Sequence, residues 1–122
     1  LRLKVFVHEQ QVPLELEWDE SDAVSVHALA FDCAGNPIGT GRLLPDGHIG
    51  RMAVIRSQRG GGAGSAILAA LMQHAKARGD REVVLNAQVQ ARAFYERHGF
   101  AGEGGEFLDA GIAHIRMRHL FA

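Results

Sequence analysis

Arg59-Gly60-Gly61-Gly62-Ala63-Gly64-Ser65 is the stretch whose reading decides the fold of this 122-residue chain. It stands between a strand-like segment and an amphipathic helix. A helix start carries unsatisfied N–H groups and a partial positive charge. Glycines let a ligand approach the backbone without a Cβ clash. Arg59 adds a full charge and a forked donor. Together these features predict an anion site suited to phosphates. A bare glycine-rich connection is the plain alternative. Two common phosphate motifs are excluded. The P-loop needs lysine followed by Ser or Thr after its last glycine, and Ser65-Ala66 supplies neither. The dinucleotide fingerprint fails in every register: Ile67 or Ser65 takes the third position, or Ala63 the second.

Upstream, residues 24–31 alternate, with Val24, Val26, Ala28 and Ala30 on one face. Ala34-Gly35-Asn36-Pro37 signals a turn, a second strand runs over 38–44, and Pro45-Asp46-Gly47 turns into a third over 48–55. Downstream, Ile67, Leu68, Leu71, Met72 and Ala75 predict a helix over 65–78, with Gly79 at its C′ position. A short strand over 82–87 and a helix over 89–98 follow, then a hairpin of 106–108 and 112–118 around Asp109-Ala110-Gly111. Joining the strands at 48 and 82 through a helix implies a parallel crossover pair. The fold class is α+β: a mostly antiparallel mixed sheet with one parallel pair, flanked by helices. Residues 1–10 are expected as a helix ending before Val12-Pro13, and the acidic stretch 15–22 as an exposed loop. Leu1 opens straight into an apolar pattern, so an upstream piece is expected to be missing.

An apolar fraction of 47% suits a single globular domain over 1–122. Thirteen basic and 14 acidic residues give a formal net charge of -1, which does not support nucleic-acid binding through a general basic field. Any anion site must be local. Cys33 alone makes neither a disulfide framework nor a cysteine-rich zinc site, and no metal is expected. No apolar run reaches a membrane span of about 20 residues. A cytoplasmic location is expected.

The motif Arg59-x-x-Gly62-x-Gly64 resembles the Arg/Gln-x-x-Gly-x-Gly/Ala signature of the GNAT acetyltransferase superfamily. Gly50-Arg51-Met52-Ala53-Val54 stands where that family's cofactor-binding strand stands. Ala91-x-x-Phe94-Tyr95-Glu96-x-x-Gly99-Phe100 is similar to its second hallmark. Val5-Phe6-Val7-x-Glu9-Gln10-x-Val12-Pro13, Asn86-Ala87-Gln88 and Phe107-x-x-x-Gly111-Ile112-x-His114-x-x-Met117 extend the resemblance to an ElaA-like branch of small bacterial enzymes.

The resemblance implies the GNAT fold, with the family's first strand missing at the front of this chain, and acetyl transfer from acetyl-CoA to an amine of a small molecule or a protein, by direct attack in a ternary complex. A homodimer is compatible with it. It implies that the backbone of Met52, Ala53 and Val54 holds the thioester and pantetheine arm. Arg59, Gly60, Gly61, Gly62, Ala63, Gly64 and Ser65 would hold the pyrophosphate. Tyr95 stands at the position of the family's acid, aimed at the coenzyme A sulfur; its alternative is a core tyrosine. His114 and Glu9 are candidate bases, against a simple exposed histidine and a solvated carboxylate; a water chain or a backbone carbonyl is the other acceptor the chemistry allows. A transferase for another acyl-CoA, or a non-catalytic acyl-CoA-binding module, keeps the same motif.

Overall fold

The computed structural model describes residues 2–7, 12–18, 25–56 and 62–121. Strands β1 (Arg2–Val7), β2 (Val12–Trp18), β3 (Val26–Phe31), β4 (Pro37–Leu43) and β5 (Ile49–Val54) form one antiparallel sheet in sequence order. Helix α1 (Ala63–Ala77) follows, then β6 (Glu82–Gln88), a 3-10 turn over Val89–Ala91 and helix α2 (Arg92–Arg97). Strands β7 (Ala101–Asp109) and β8 (Ile112–Leu120) close a second sheet in the order β6-β8-β7.

The alternation expected over 24–31 is present from Val26 onward, and Val24 lies outside the described residues. Val26, Ala28 and Ala30 are buried, and they face a core that includes Ile67, Leu68, Leu71 and Ala75 of α1. Apolar spacing of three and four residues puts those four side chains on one face of α1. Small residues on β4 decide how closely α1 approaches. A Cβ on Gly41 would lie 2.7 Å from Ile67 Cγ2 and 2.7 Å from Met52 Sδ. Glycine here is a packing requirement: the helix occupies the space of a side chain.

The crossover pair is narrower than a full ladder. His48, the residue before β5, forms one parallel bridge with Val84 of β6, reinforced by the Val84 N–H donating to the Gly47 carbonyl at 3.0 Å. No ladder continues between β5 and β6 among the described residues, so the molecule has two sheets instead of one continuous one.

Two expectations are corrected. Residues 2–7 are not helical. They form β1 and pair antiparallel with β2, Val5 opposite Leu14 and Val7 opposite Val12. A short apolar run rich in valine suits either period, and strand pairing decides between them. The acidic stretch does not begin as a loop either. Residues 15–18 belong to β2, between β1 and β3, with Leu14 and Leu16 buried and even Glu15 only 8% exposed. Alternation of Leu14, Leu16 and Trp18 outweighs the acidic composition. Residues 19–22 lie outside the described residues.

Candidate active site

Helix α1 starts without a cap. Gly62 at its N-cap is left-handed, φ 88°, and no side chain among the described residues caps the helix. The first intrahelical bond runs from the Ala66 N–H to the Gly62 carbonyl at 2.9 Å. The N–H groups of Ala63, Gly64 and Ser65 therefore have no intrahelical acceptor. No acidic residue lies in the first turn to compete for this positive end. A left-handed N-cap is the physical reason for glycine at 62. Arg59, Gly60 and Gly61, expected as further pyrophosphate contacts, lie outside the described residues, as does Glu9.

Strand β5 leads towards that helix start. Its ladder with β4 shifts register near Arg51, which takes φ 53°. The Ile55 N–H donates to the Ile38 carbonyl at 2.9 Å. Backbone groups alternate edges along an antiparallel strand, so those of Val54, next to Ile55, turn towards the other edge. That edge is the one that β6 does not continue past His48. Met52, Ala53 and Val54 thus lie at the C-terminal end of a parallel pair that stops pairing.

Helix α2 closes onto the same point. It has only six residues, none of them fully buried, and an isolated helix of that length does not persist in water. Tertiary contacts hold it. A Cβ built on Gly64 would lie 3.6 Å from Phe94 Cζ and 3.7 Å from Val54 Cγ2, so β5, α1 and α2 meet there. Phe94 stacks edge-on against Tyr95, with centroids 5.0 Å apart, and Tyr95 lies 6.0 Å from the buried Phe100. Burial alone holds the Tyr95 phenol above the ordinary value of 10.0, because the phenolate loses hydration. His98 Nε2 lies 3.1 Å from Ser65 Oγ. On the far side of the helix, His119 Nδ1 donates to the Gly99 carbonyl at 2.8 Å.

His114 stands in a row across the second sheet, between Gln88 and Phe107. Its Nδ1 donates to the Ile112 carbonyl at 2.7 Å. That bond leaves Nε2 as the lone-pair nitrogen of the neutral ring. Its ring stacks on Phe107, with centroids 5.9 Å apart. Its contacts are thus with Ile112 and Phe107, and those of Tyr95 with Phe94 and Phe100. The sequence reading passed over His98. Its one available signal is position: one turn after Phe94 and directly before the glycine that ends the helix.

The model of the acetyltransferase (GNAT) domain matches residues 2–121. The chain belongs to the GNAT acetyltransferase family. The Bacillus subtilis N-acetyltransferase YjcF, itself uncharacterized, is 42% identical over 121 residues, which cover 96% of this chain and 86% of that protein. Escherichia coli ElaA shares the fold, with TM-score 0.69, 24% identity, and 78% and 68% of the two chains covered. So does a Bacillus anthracis protein crystallised with acetyl coenzyme A, with TM-score 0.71, 23% identity, and 81% and 64% covered.

This GNAT domain is an acyl-CoA-dependent acyltransferase. An open helix start offers N–H donors and a positive field to a phosphate. A strand end beside a helix start can lie along a pantetheine arm or bind a carbonyl oxygen through its backbone. A half-buried phenol kept protonated can give its proton to a thiolate. Among the described residues, no helix is long and apolar enough to cross a membrane.

Proposed function

We propose that this GNAT enzyme transfers acetyl from acetyl-CoA to a primary amine of a small molecule or a protein by direct attack in a ternary complex. The observation that carries the reading is the meeting of Val54, Gly64 and Phe94, which puts a strand end, an uncapped helix start and the Tyr95 helix at one place. The acetyl-CoA bound to the Bacillus anthracis protein of this fold supports the same cofactor here.

In this reading the N–H groups of Ala63, Gly64 and Ser65, with residues 59–62, bind the pyrophosphate. The backbone of Met52, Ala53 and Val54 holds the pantetheine arm and polarises the thioester carbonyl. The amine nitrogen attacks that carbonyl carbon, forming the C–N bond. The C–S bond breaks as the carbonyl re-forms, and the thiolate takes its proton from the Tyr95 hydroxyl. The amine proton passes to a base. Two protein candidates remain: the Nε2 lone pair of His114, freed by the Nδ1 bond to Ile112, and the Glu9 carboxylate.

Calorimetry with acetyl-CoA, followed by thiol release against a panel of amines, tests the proposal. Saturable binding together with thiol release on at least one amine is expected. No binding would sink the reading. Tight binding with no turnover on any amine would leave an acyl-CoA-binding module in its place.

A further inference from the structure

We propose that His98 is a positioning residue for the cofactor's phosphates, acting through the Ser65 hydroxyl. The inference rests on the proposed pyrophosphate site at the start of α1 and adds a side-chain donor to it.

Ser65 is the third residue of α1, within the first turn whose N–H groups lack intrahelical acceptors. A serine there ordinarily has several rotamers and a freely rotating O–H. His98 removes that freedom, with Nε2 at 3.1 Å from Oγ. The imidazole is itself fixed, its ring 5.0 Å from Phe94, which in turn packs on Gly64. With an anion at the helix start, the favoured tautomer carries its proton on Nε2. His98 then donates to Ser65 Oγ, and the Ser65 O–H is left to donate to the phosphate. The opposite tautomer would draw the serine proton inward and turn oxygen lone pairs towards the anion, which is repulsive. The chain His98–Ser65–phosphate is a polarised relay in which each donor strengthens the next. No proton is transferred in it.

His98 stands one turn from Tyr95, so a loss of turnover alone could come from movement of α2. The structure separates the two effects. Tyr95 has its own contacts with Phe94 and Phe100, and the end of α2 is tied to β8 through the His119–Gly99 bond. Removing the imidazole at 98 leaves those contacts standing. The effect should therefore fall on cofactor affinity more than on turnover.

The test measures the Kd of acetyl-CoA by calorimetry, with KM and kcat, for the wild-type protein, Ser65→Ala, His98→Leu, the double variant and His98→Gln. Each of the first two substitutions is expected to weaken acetyl-CoA by about fivefold to tenfold, the effect of one modest hydrogen bond. The double variant should be no weaker than the worse single one, because both remove the same link. His98→Gln keeps a donor near the Nε2 position and should recover most of the affinity. kcat at saturating acetyl-CoA should stay within about twofold throughout. Should His98→Leu fail to fold, His98→Phe, which keeps a ring beside Phe94 but no donor, takes its place with the same expected loss. Unchanged affinity in either single loss variant, or losses that multiply in the double variant, would overturn the inference while leaving the cofactor site intact. Absence of acetyl-CoA binding by the wild-type protein would overturn the site and the inference together.

Discussion

At the scale of the residue, the proposed acid is the Tyr95 hydroxyl. Its environment is made by Phe94 and Phe100, and burial keeps the phenol protonated beyond its ordinary range. If Tyr95 is the acid, Tyr95→Phe lowers kcat by about a hundredfold, within the usual range for general acid catalysis, with acetyl-CoA affinity nearly unchanged. The pH dependence has a defined sign. An acid works while protonated, so kcat falls only as pH rises through the Tyr95 pKa. That pKa is raised, so the fall due to Tyr95 belongs above the ordinary phenol value of 10.0. A kcat profile of the wild-type protein and the Tyr95→Phe variant checks both statements. Turnover that survives the substitution would take Tyr95 out of the chemistry.

At the scale of the element, the glycines of the α1 start have different duties. Gly62 is left-handed at the N-cap, φ 88°, whereas a Cβ on Gly64 would meet only ordinary contacts of 3.6 Å and longer. Gly62→Ala is expected to cost about 1–2 kcal/mol, the strain of an L-residue in that region. Gly64→Ala should be neutral or stabilising by up to about 1 kcal/mol, since alanine favours a helix. Urea unfolding of the two variants reads the difference directly. Gly41 on β4 shows a third duty. A methyl there would crowd Ile67 Cγ2 and Met52 Sδ at 2.7 Å each. Gly41→Ala should destabilise by about 1–3 kcal/mol through overpacking, and an unchanged unfolding midpoint would mean that α1 shifts freely over the sheet.

At the scale of the whole molecule, two histidines couple stability to pH. Burial, followed by the nearby Arg78 charge, lowers the pKa of His74, whose ring packs against Trp18 at 5.3 Å. Burial, followed by Arg97, lowers that of His98. Both are below the ordinary 6.5 in the folded chain, so the unfolded chain takes up protons first as pH falls. Stability present above about pH 6.5 is then lost on acidification through the folded pKa values. Asp32 and Asp46, whose carboxylates accept backbone and side-chain hydrogen bonds and so titrate below 3.8, withdraw their contribution only in stronger acid. Melting temperature followed downward from pH 7.5 should begin to fall near pH 6.5, and His74→Gln should flatten that first decline.

The sequence by itself determined the element order from residue 26 onward, the glycine-rich entry to α1 and the family. Those features are local: alternation, helical spacing, and turn residues that force the chain. It also named Tyr95, because a short motif carries it. Tertiary structure decided what local pattern leaves open. The first apolar run could follow either period, and pairing with β2 made it a strand. Composition marked residues 15–18 as solvated, and their place between β1 and β3 made them sheet. Only packing brings Ser65 and His98, which are 33 positions apart, to 3.1 Å. The glycine run that fixes the fold acquires its side-chain partner from a helix that no window around it contains.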